Sequence, residues 1–548
     1  MADTPGRREF LGGLCRSGAV LAASSCLGGI GLAQTRGPAR VVLQRARYRS
    51  DLDRRLLGAF LEHLGRAIYT GVYEPGSPLA DANGFRKDVI AEVKGLGVPI
   101  MRYPGGNFVS GYNWLDGVGP KNQRPTVLDR AWNTLETNQF GTNDFIEWAR
   151  AAGTEPLLGG NFGTGTVAEQ VAYVEYCNVD RGTKWSDLRR SHGYEQPHNV
   201  RYWCLGNEMD GPWQIGAMPA RDYGRKARDA ASQFRVLDPS LKLIACGSSS
   251  TSMPNYLVWD REVLEECYDK VDAISLHNYY GNTPQMSGND ISRYLAQNLD
   301  MERQIHEISA VCDYVQGVLK SPKRLWLSFD EWNVWYRARG GLFANGQRKA
   351  APHLLEEEYN LEDALLVGGF VNTLLRRSDR VRLACIAQIV NVIAPLMTNA
   401  EKTIRQTIYY PYAWARQYAQ GRVLDLQVEC ETYPIKAAGL RPDFARNDDV
   451  PFLDVVATHN PQNGQVALFM LNRDTTRERD VTIHWQSPTP TRVLACQTLT
   501  GKNLKAINSF AQPNNVVPVK LDAPAAGPTM TFRLPAGSYT VAHLATGG

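Results

Sequence analysis

From residue 56 onward, short apolar runs alternate with longer stretches whose apolar positions recur every three or four residues, a strand–loop–helix repeat. Eight runs read as strands: residues 56–60, 98–103, 156–161, 202–205, 243–247, 273–277, 325–330 and 385–388. In the first intervening helix Val89, Ile90, Val93 and Leu96 share a face, and Gly97 is a natural C-terminal stop. Eight parallel strands with helices between them predict an α/β fold, a (β/α)8 barrel over residues 51–420. A doubly wound sheet is the alternative.

After residue 421 the period changes to two. Val466 to Leu471, Val481 to Trp485 and Tyr539 to Val541 alternate between Pro, Asn and Gly turns, which predicts an antiparallel β-sandwich over residues 421–548. A single early strand at residues 40–47 is expected to pair into it, joining 40–48 to the sandwich and making the barrel an insertion.

The chain has 548 residues, 43% hydrophobic and 21% charged, with a net charge of +4 from 60 basic and 56 acidic residues. That balance gives no reason to expect a nucleic-acid or membrane-surface partner. Arg7-Arg8-Glu9-Phe10-Leu11 precedes a weakly apolar run to Ala33, the pattern of a twin-arginine signal over residues 1–33 cleaved after Gly31-Leu32-Ala33. The run is too rich in glycine for a membrane span, and Ala23-Ser24-Ser25 is a poor lead-in to lipidation of Cys26. The expected location is periplasmic or secreted, and cytoplasmic if this segment is not a signal. Ten cysteines lie scattered without CxxC or Cys/His zinc spacing, so neither a metal site nor a disulfide framework is expected.

Polar residues at the C-terminal ends of barrel strands form the active site in this fold. Here those ends supply Glu62-His63, Arg102 to Asn107, Gly206-Asn207-Glu208, His277-Asn278-Tyr279, Asp330 to Asn333, and Gln388. Two glutamates at the ends of the fourth and seventh strands face each other across the barrel mouth. Glycoside hydrolysis needs such a pair, one carboxyl to protonate the leaving oxygen and one carboxylate to attack the anomeric carbon.

The surrounding residues carry a resemblance. Tyr202 to Gln214 is similar to the acid/base segment of glycoside hydrolase family 51, the α-L-arabinofuranosidases, and Phe329 to Tyr336 to its nucleophile segment. Phe60 to Arg66, Arg102 to Trp114, Glu136 to Thr142, Ser275 to Asn282 and Ala387 to Pro395 extend the likeness from about residue 40 to the C-terminus. The resemblance implies a barrel plus β-sandwich, retention of configuration, no metal or organic cofactor and a homo-oligomer. It makes Glu208 the acid/base and Glu331 the nucleophile. Glu62, Arg102, Asn107, Asn207, His277, Tyr279 and Gln388 would hold the furanose, with Trp132 and Trp335 shaping the subsite. Arg102 is also expected to favour the charged form of Glu331. Residues 177–198 and the loop at 340–352 are expected to set how far the substrate reaches.

Gly163 to Ala168 fits a relaxed dinucleotide fingerprint but sits on the third unit with no ribose-binding acid downstream. His306-Glu307 lacks the second histidine of a zinc-protease helix, and there is no GxSxG elbow. The expected activity is exo-acting release of terminal α-L-arabinofuranosyl residues from arabinan, arabinoxylan or their oligosaccharides. Two alternatives are a β-xylosidase or endoglucanase with the same machinery, and a non-catalytic sugar-binding protein.

Overall fold

The computed structural model describes residues 39–339, 348–486 and 489–547. The twin-arginine segment and residues 340–347 of the expected reach-setting loop lie outside them. Eight strands close into a barrel: β1 (Gly58–Phe60), β2 (Ile100–Tyr103), β3 (Glu155–Gly159), β4 (Tyr202–Cys204), β5 (Lys242–Ala245), β6 (Ala273–Tyr280), β7 (Trp326–Val334) and β8 (Val381–Ala387). Every neighbouring pair is parallel and β8 returns to β1, which excludes the doubly wound sheet. Helices cover the outer face and side chains fill the inside, so strands such as β2 and β4 are buried along their whole length. The ring interior is packed by Phe60, Ile100, Leu157, Tyr202, Ile244, Leu383 and Cys385. The helix Lys87–Leu96 buries Val89, Ile90, Val93 and Leu96, and Gly97 ends it in the left-handed conformation at φ 64°.

β7 departs from regular pairing. Its register shifts against β6 between Ser275 and His277, and against β8 between Phe329 and Trp332. A bulge breaks the strict inward–outward alternation of side chains, and consecutive Asp330 and Glu331 are both buried toward the barrel interior.

Outside the barrel, a seven-stranded and a four-stranded sheet enclose a second core of Val41, Leu424, Val455, Leu468, Met470, Ile483, Phe532 and Leu544. Pairing is antiparallel except that Ala39–Leu43 runs parallel to Arg479–Trp485. The single early strand expected at 40–47 is instead two. Ala39–Leu43 belongs to the four-stranded sheet and Tyr48–Asp51 to the seven-stranded one. A turn closed by the Arg47 N–H on the Gln44 carbonyl (3.1 Å) carries the chain between the two sheets. The eight cysteines from Cys177 to Cys496 are unpaired and seven are buried. Among the described residues no helix is long and apolar enough to cross a membrane.

The helix Leu361–Arg376 is buried from Leu361 to Leu375 because β-strands flank it on both sides. At its end Asp454, on strand Leu453–Asn460, accepts from Arg376, from Arg473 (2.8 Å) and from Asn298 Nδ2 (2.9 Å). Burial alone would raise the Asp454 pKa, but the two guanidinium groups outweigh it and hold it at about 2. A folded-state value below the unfolded one of about 4 means this stabilisation is present above about pH 4 and is lost as pH falls toward 2. Asp454→Ala leaves buried Arg473 without its counter-ion, so we expect a loss of about 3–5 kcal/mol, read as a lower chemical-unfolding midpoint. Asp454→Asn should in addition flatten the stability decline between pH 4 and pH 2, and an unchanged pH profile would remove Asp454 as its source.

Candidate active site

Two carboxylates at the barrel mouth, Asp330 and Glu331, gather around one buried cation. Arg102, 1% exposed, rises from the end of β2 and stacks on the Phe60 ring at 4.5 Å. It donates to Glu331 Oε1 (2.6 Å) and Asn207 Oδ1 (2.6 Å) and lies 3.5 Å from Asp330 Oδ2. Asp330 also accepts from Cys204 Sγ (3.3 Å) and pairs with His277 Nε2 (3.2 Å). The other nitrogen of His277, Nδ1, is 2.9 Å from Glu208 Oε1 and 3.7 Å from Glu331 Oε2. A single imidazole therefore stands between the two candidate catalytic carboxylates.

The backbone after β4 is shaped to deliver Asn207 and Glu208 together. Gly206 turns at φ 107°, where a Cβ would meet the Phe162 side chain at 2.9 Å. Glu208 itself has φ 43°, a left-handed conformation that non-glycine residues adopt at an energetic cost and that is common at functional sites. Trp213, five residues on and half exposed, donates its indole N–H to Glu208 Oε2 at 2.6 Å. Glu331 is oriented from its other side by the Tyr279 hydroxyl, which donates to Oε2 at 2.9 Å.

These groups open into a cavity of about 350 Å³. One wall holds Glu62, whose Oε1 accepts from the Phe108 N–H (3.0 Å) and the Trp132 indole (2.9 Å). Its Oε2 receives Gln388 Nε2 at 3.3 Å, and Gln388 Oε1 accepts the Glu62 N–H at 2.8 Å. Trp132 is brought there by the hairpin Val127–Asp129/Thr134–Glu136, which the buried pair His63 Nδ1–Glu136 Oε2 (2.7 Å) ties down beside Glu62. Trp335 meets Tyr279 edge-on, ring centres 5.2 Å apart. A larger hollow of about 770 Å³ lies against strand Leu453–Asn460, but its carboxylates are already paired, Glu302 and Asp454 with Arg376 and Glu429 with Arg40.

Burial, then the charge of Glu331, push the Glu62 carboxyl up to about 8, against its donors Phe108 and Trp132. Burial alone would strip the His277 proton. The surrounding Glu331, Asp330 and Glu208 outweigh it and raise the imidazole to about 10, so His277 is a cation at neutral pH. Burial opposes ionisation of Asp330 as well, and Arg102 and His277 reverse that and lower its pKa. The site thus balances two buried cations against its carboxylates.

Atoms of Glu208, His277 and Glu331 lie within 4.8 Å of one another, a spacing a divalent ion could bridge. Every oxygen of the two glutamates already receives an N–H or O–H donor, and Arg102 stands against one of them. That donor set is one for moving protons and orienting carboxylates rather than for metal ligation.

Of the residues singled out in the sequence, Glu62, Asn107, Trp132, Glu208, Tyr279, Glu331, Trp335 and Gln388 line the cavity. Arg102, Asn207 and His277 do not line it. They lie beneath the two glutamates and bond to them or to each other. Contrary to expectation, no residue of 177–198 lines the cavity, because that segment enters β4 at its N-terminal end while the cavity lies at the C-terminal ends. Arg339 and Leu355, either side of the second expected loop, do line it. Sequence reasoning also passed over Trp213, Ser249, Arg441 and the role of Asp330. Trp213 lay within the quoted Glu208 segment. Regular alternation would have turned Asp330 outward, and nothing in the sequence links Arg441 to the barrel.

Comparison with known proteins places this geometry. Residues 92–298 match the model of the α-L-arabinofuranosidase 1 domain and residues 330–538 that of the α-L-arabinofuranosidase C-terminal domain. An intracellular exo-α-(1→5)-L-arabinofuranosidase of Halalkalibacterium halodurans is 47% identical over 86% of this chain and 92% of its own. An exo-α-(1→6)-L-arabinofuranosidase of Bifidobacterium longum is 40% identical over 90% of this chain and 95% of its own. Among solved structures, a family 51 α-L-arabinofuranosidase from Bifidobacterium longum superposes with TM-score 0.87 at 38% identity, covering 93% of this chain and all of the other.

Gly106, at φ 39°, faces Glu62 so closely that a Cβ there would stand 2.1 Å from Glu62 Oε2. Gly106→Ala should displace the Glu62 carboxylate and lower kcat/KM on an aryl α-L-arabinofuranoside about tenfold or more. Unchanged kcat/KM would show that Glu62 does not contribute to binding the sugar.

Proposed function

The chain belongs to the α-L-arabinofuranosidases of glycoside hydrolase family 51, and we propose that it releases terminal α-L-arabinofuranosyl residues by double displacement with retention. The observation that carries the mechanism is the separation of the two glutamates. One oxygen of Glu208 and one of Glu331 lie within 4.8 Å of each other, with His277 between them, which supports the close-set carboxyl pair of a retaining enzyme, ~5–5.5 Å apart.

In this reading Glu331, oriented by Arg102 and Tyr279, attacks the anomeric carbon and forms a covalent arabinosyl ester. Glu208 protonates the departing glycosidic oxygen. Water then enters, gives its proton to Glu208, and its oxygen displaces Glu331 at the same carbon, so two inversions restore the starting configuration. His277 Nδ1, 2.9 Å from Glu208 Oε1, holds the acid carboxyl in position for the first step. Glu62, Asn107 and Gln388 bind the furanose hydroxyls, with Trp132 and Trp335 bounding the ring.

The small cavity favours exo action on arabinan, arabinoxylan or their oligosaccharides, since it accommodates a chain end rather than an extended polymer. Linkage is left open by the relatives, some named for 1→5 and one for 1→6 bonds. A metagenomic bifunctional glucanase–xylanase shares only the fold, at 13% identity and TM-score 0.55, so the endoglucanase reading gains no support from it.

Glu331→Ala should abolish turnover of an activated aryl α-L-arabinofuranoside. Glu208→Ala should slow substrates with poor leaving groups far more than activated ones, by about 10²–10⁴-fold against a small change. The first arabinose released, followed by proton NMR, should have the configuration of the substrate; inverted product would overturn the mechanism, and equal losses on both substrate classes would remove Glu208 as the acid.

We also propose that Arg7-Arg8 and the run to Ala33 direct export as a twin-arginine signal, although several relatives are named intracellular. Cell fractionation tests this. Activity should leave the cytoplasm in the wild type and stay there when Arg7 and Arg8 are both changed to Lys, whereas cytoplasmic activity in both would make the enzyme an intracellular one.

A further inference from the structure

Besides Glu62, Asn107 and Gln388, the cavity is lined by two arginines that the catalytic scheme does not use, Arg339 and Arg441. Arg339 follows β7. Its guanidinium stacks on the Trp335 ring at 4.0 Å and its Nε donates to the Trp335 carbonyl at 2.8 Å. Its two terminal nitrogens make no hydrogen bond, and it has no ion pair, among the described residues. Residues 340–347, which follow it, contain no Asp or Glu. The carboxylate in its surroundings, Glu357, already accepts from Arg337 and from the Ala338 N–H (2.7 Å).

Arg441 comes from beyond the barrel. Its N–H donates to the Gln285 carbonyl at 2.9 Å, and Asp443 takes its NH2 at 3.1 Å. Asp443 is bonded in turn by the Thr251 hydroxyl (3.3 Å), so Arg441 is fixed beside the loop after β5. Arg441 Nε is buried without a partner. Arg441 is ion-paired with Asp443, whereas Arg339 has no carboxylate partner among the described residues; burial first and Arg441 second lower the Arg339 pKa to about 10. A partly enclosed guanidinium without a counter-ion is costly, and an anion in the cavity beside Arg339 would remove that cost.

The furanose hydroxyls are taken up by residues of β1, β2 and β8, so the leaving group must lie toward the opposite arc, past Glu208 and Trp213. We propose that this arc is an aglycone subsite for an acidic sugar, with Arg339 and Arg441 binding the carboxylate of a uronic acid next to the arabinofuranose. A guanidinium presents parallel N–H donors that match the two oxygens of a carboxylate, and the terminal nitrogens of Arg339 are free to do so among the described residues. The enzyme would then act on arabinofuranosyl branches of acidic oligosaccharides in preference to neutral ones.

This rests on the arabinofuranosidase reading and is separable from it. The probes are phenyl and 3-carboxyphenyl α-L-arabinofuranoside, whose leaving groups differ little in acidity but differ by one charge at the position of the aglycone. The wild type should favour the carboxylate by about tenfold in kcat/KM, the scale of one charge-assisted hydrogen bond, and the preference should shrink as salt screens it. In Arg339→Gln/Arg441→Gln, or in Arg339→Gln alone if the double variant does not fold, the ratio should fall toward one. A ratio of one in the wild type, or an unchanged ratio in the variants, overturns the acidic subsite and leaves the arabinofuranosidase standing. No turnover of either probe removes both.

Discussion

A guanidinium with almost no contact with water has to be surrounded by acceptors, and Arg102 sets the arrangement of the whole barrel mouth for that reason. Its donors reach Glu331 and Asn207, and its charge lies against Asp330. The same surroundings raise its own pKa, since Asp330 and Glu331 outweigh the burial that would lower it. Four strands meet at these contacts, because β2 carries Arg102, β7 carries Asp330 and Glu331, β4 leads to Asn207 and Glu208, and β6 brings His277. Removing one partner would leave a buried charge uncompensated, a change that usually costs several kcal/mol. The two glutamates are therefore spaced by a charge network beneath the substrate and need no contact with substrate to stay in place.

Two irregularities of the backbone make that network possible. The register shifts of β7 let Asp330 and Glu331 both face inward, one toward Arg102 and His277 beneath, the other toward the cavity. The left-handed turn at Glu208 does the same for Asn207 and Glu208 after β4. A regular strand would have sent one member of each pair to the helix side. Asp330, Asn207 and one oxygen of Glu331 hold the cation, while Glu331 and Glu208 also line the cavity.

His277 links the two halves of the proposed chemistry. As a cation it sits within reach of both glutamates and of Asp330. In the proposed mechanism Glu208 gives a proton to the departing oxygen and regains one from water, and the imidazole holds its carboxyl in place throughout. Around this centre the cavity lining is mixed, with the carboxyl and amide groups of Glu62 and Gln388 and the two arginines Arg339 and Arg441.

The sequence by itself determined the barrel and the position of each glutamate. Eight buried strands must be apolar along their length, and catalytic groups in this fold must sit where those strands end. It also carried the change to a period of two beyond residue 421, since sheets with one face on a core alternate. It could not show that the segment at 40–47 breaks into two strands in different sheets, because a turn of ordinary residues leaves little mark on the pattern. The inward turn of Asp330 escaped it as well, since a bulge is set by how β7 pairs with β6 and β8. Arg441 was beyond its reach altogether. That residue stands more than a hundred positions from Glu331, and only the folding of its loop against Thr251 and Gln285 brings it to the cavity. Local pattern is written along the chain, whereas the meeting of distant charges is decided by which surfaces pack together.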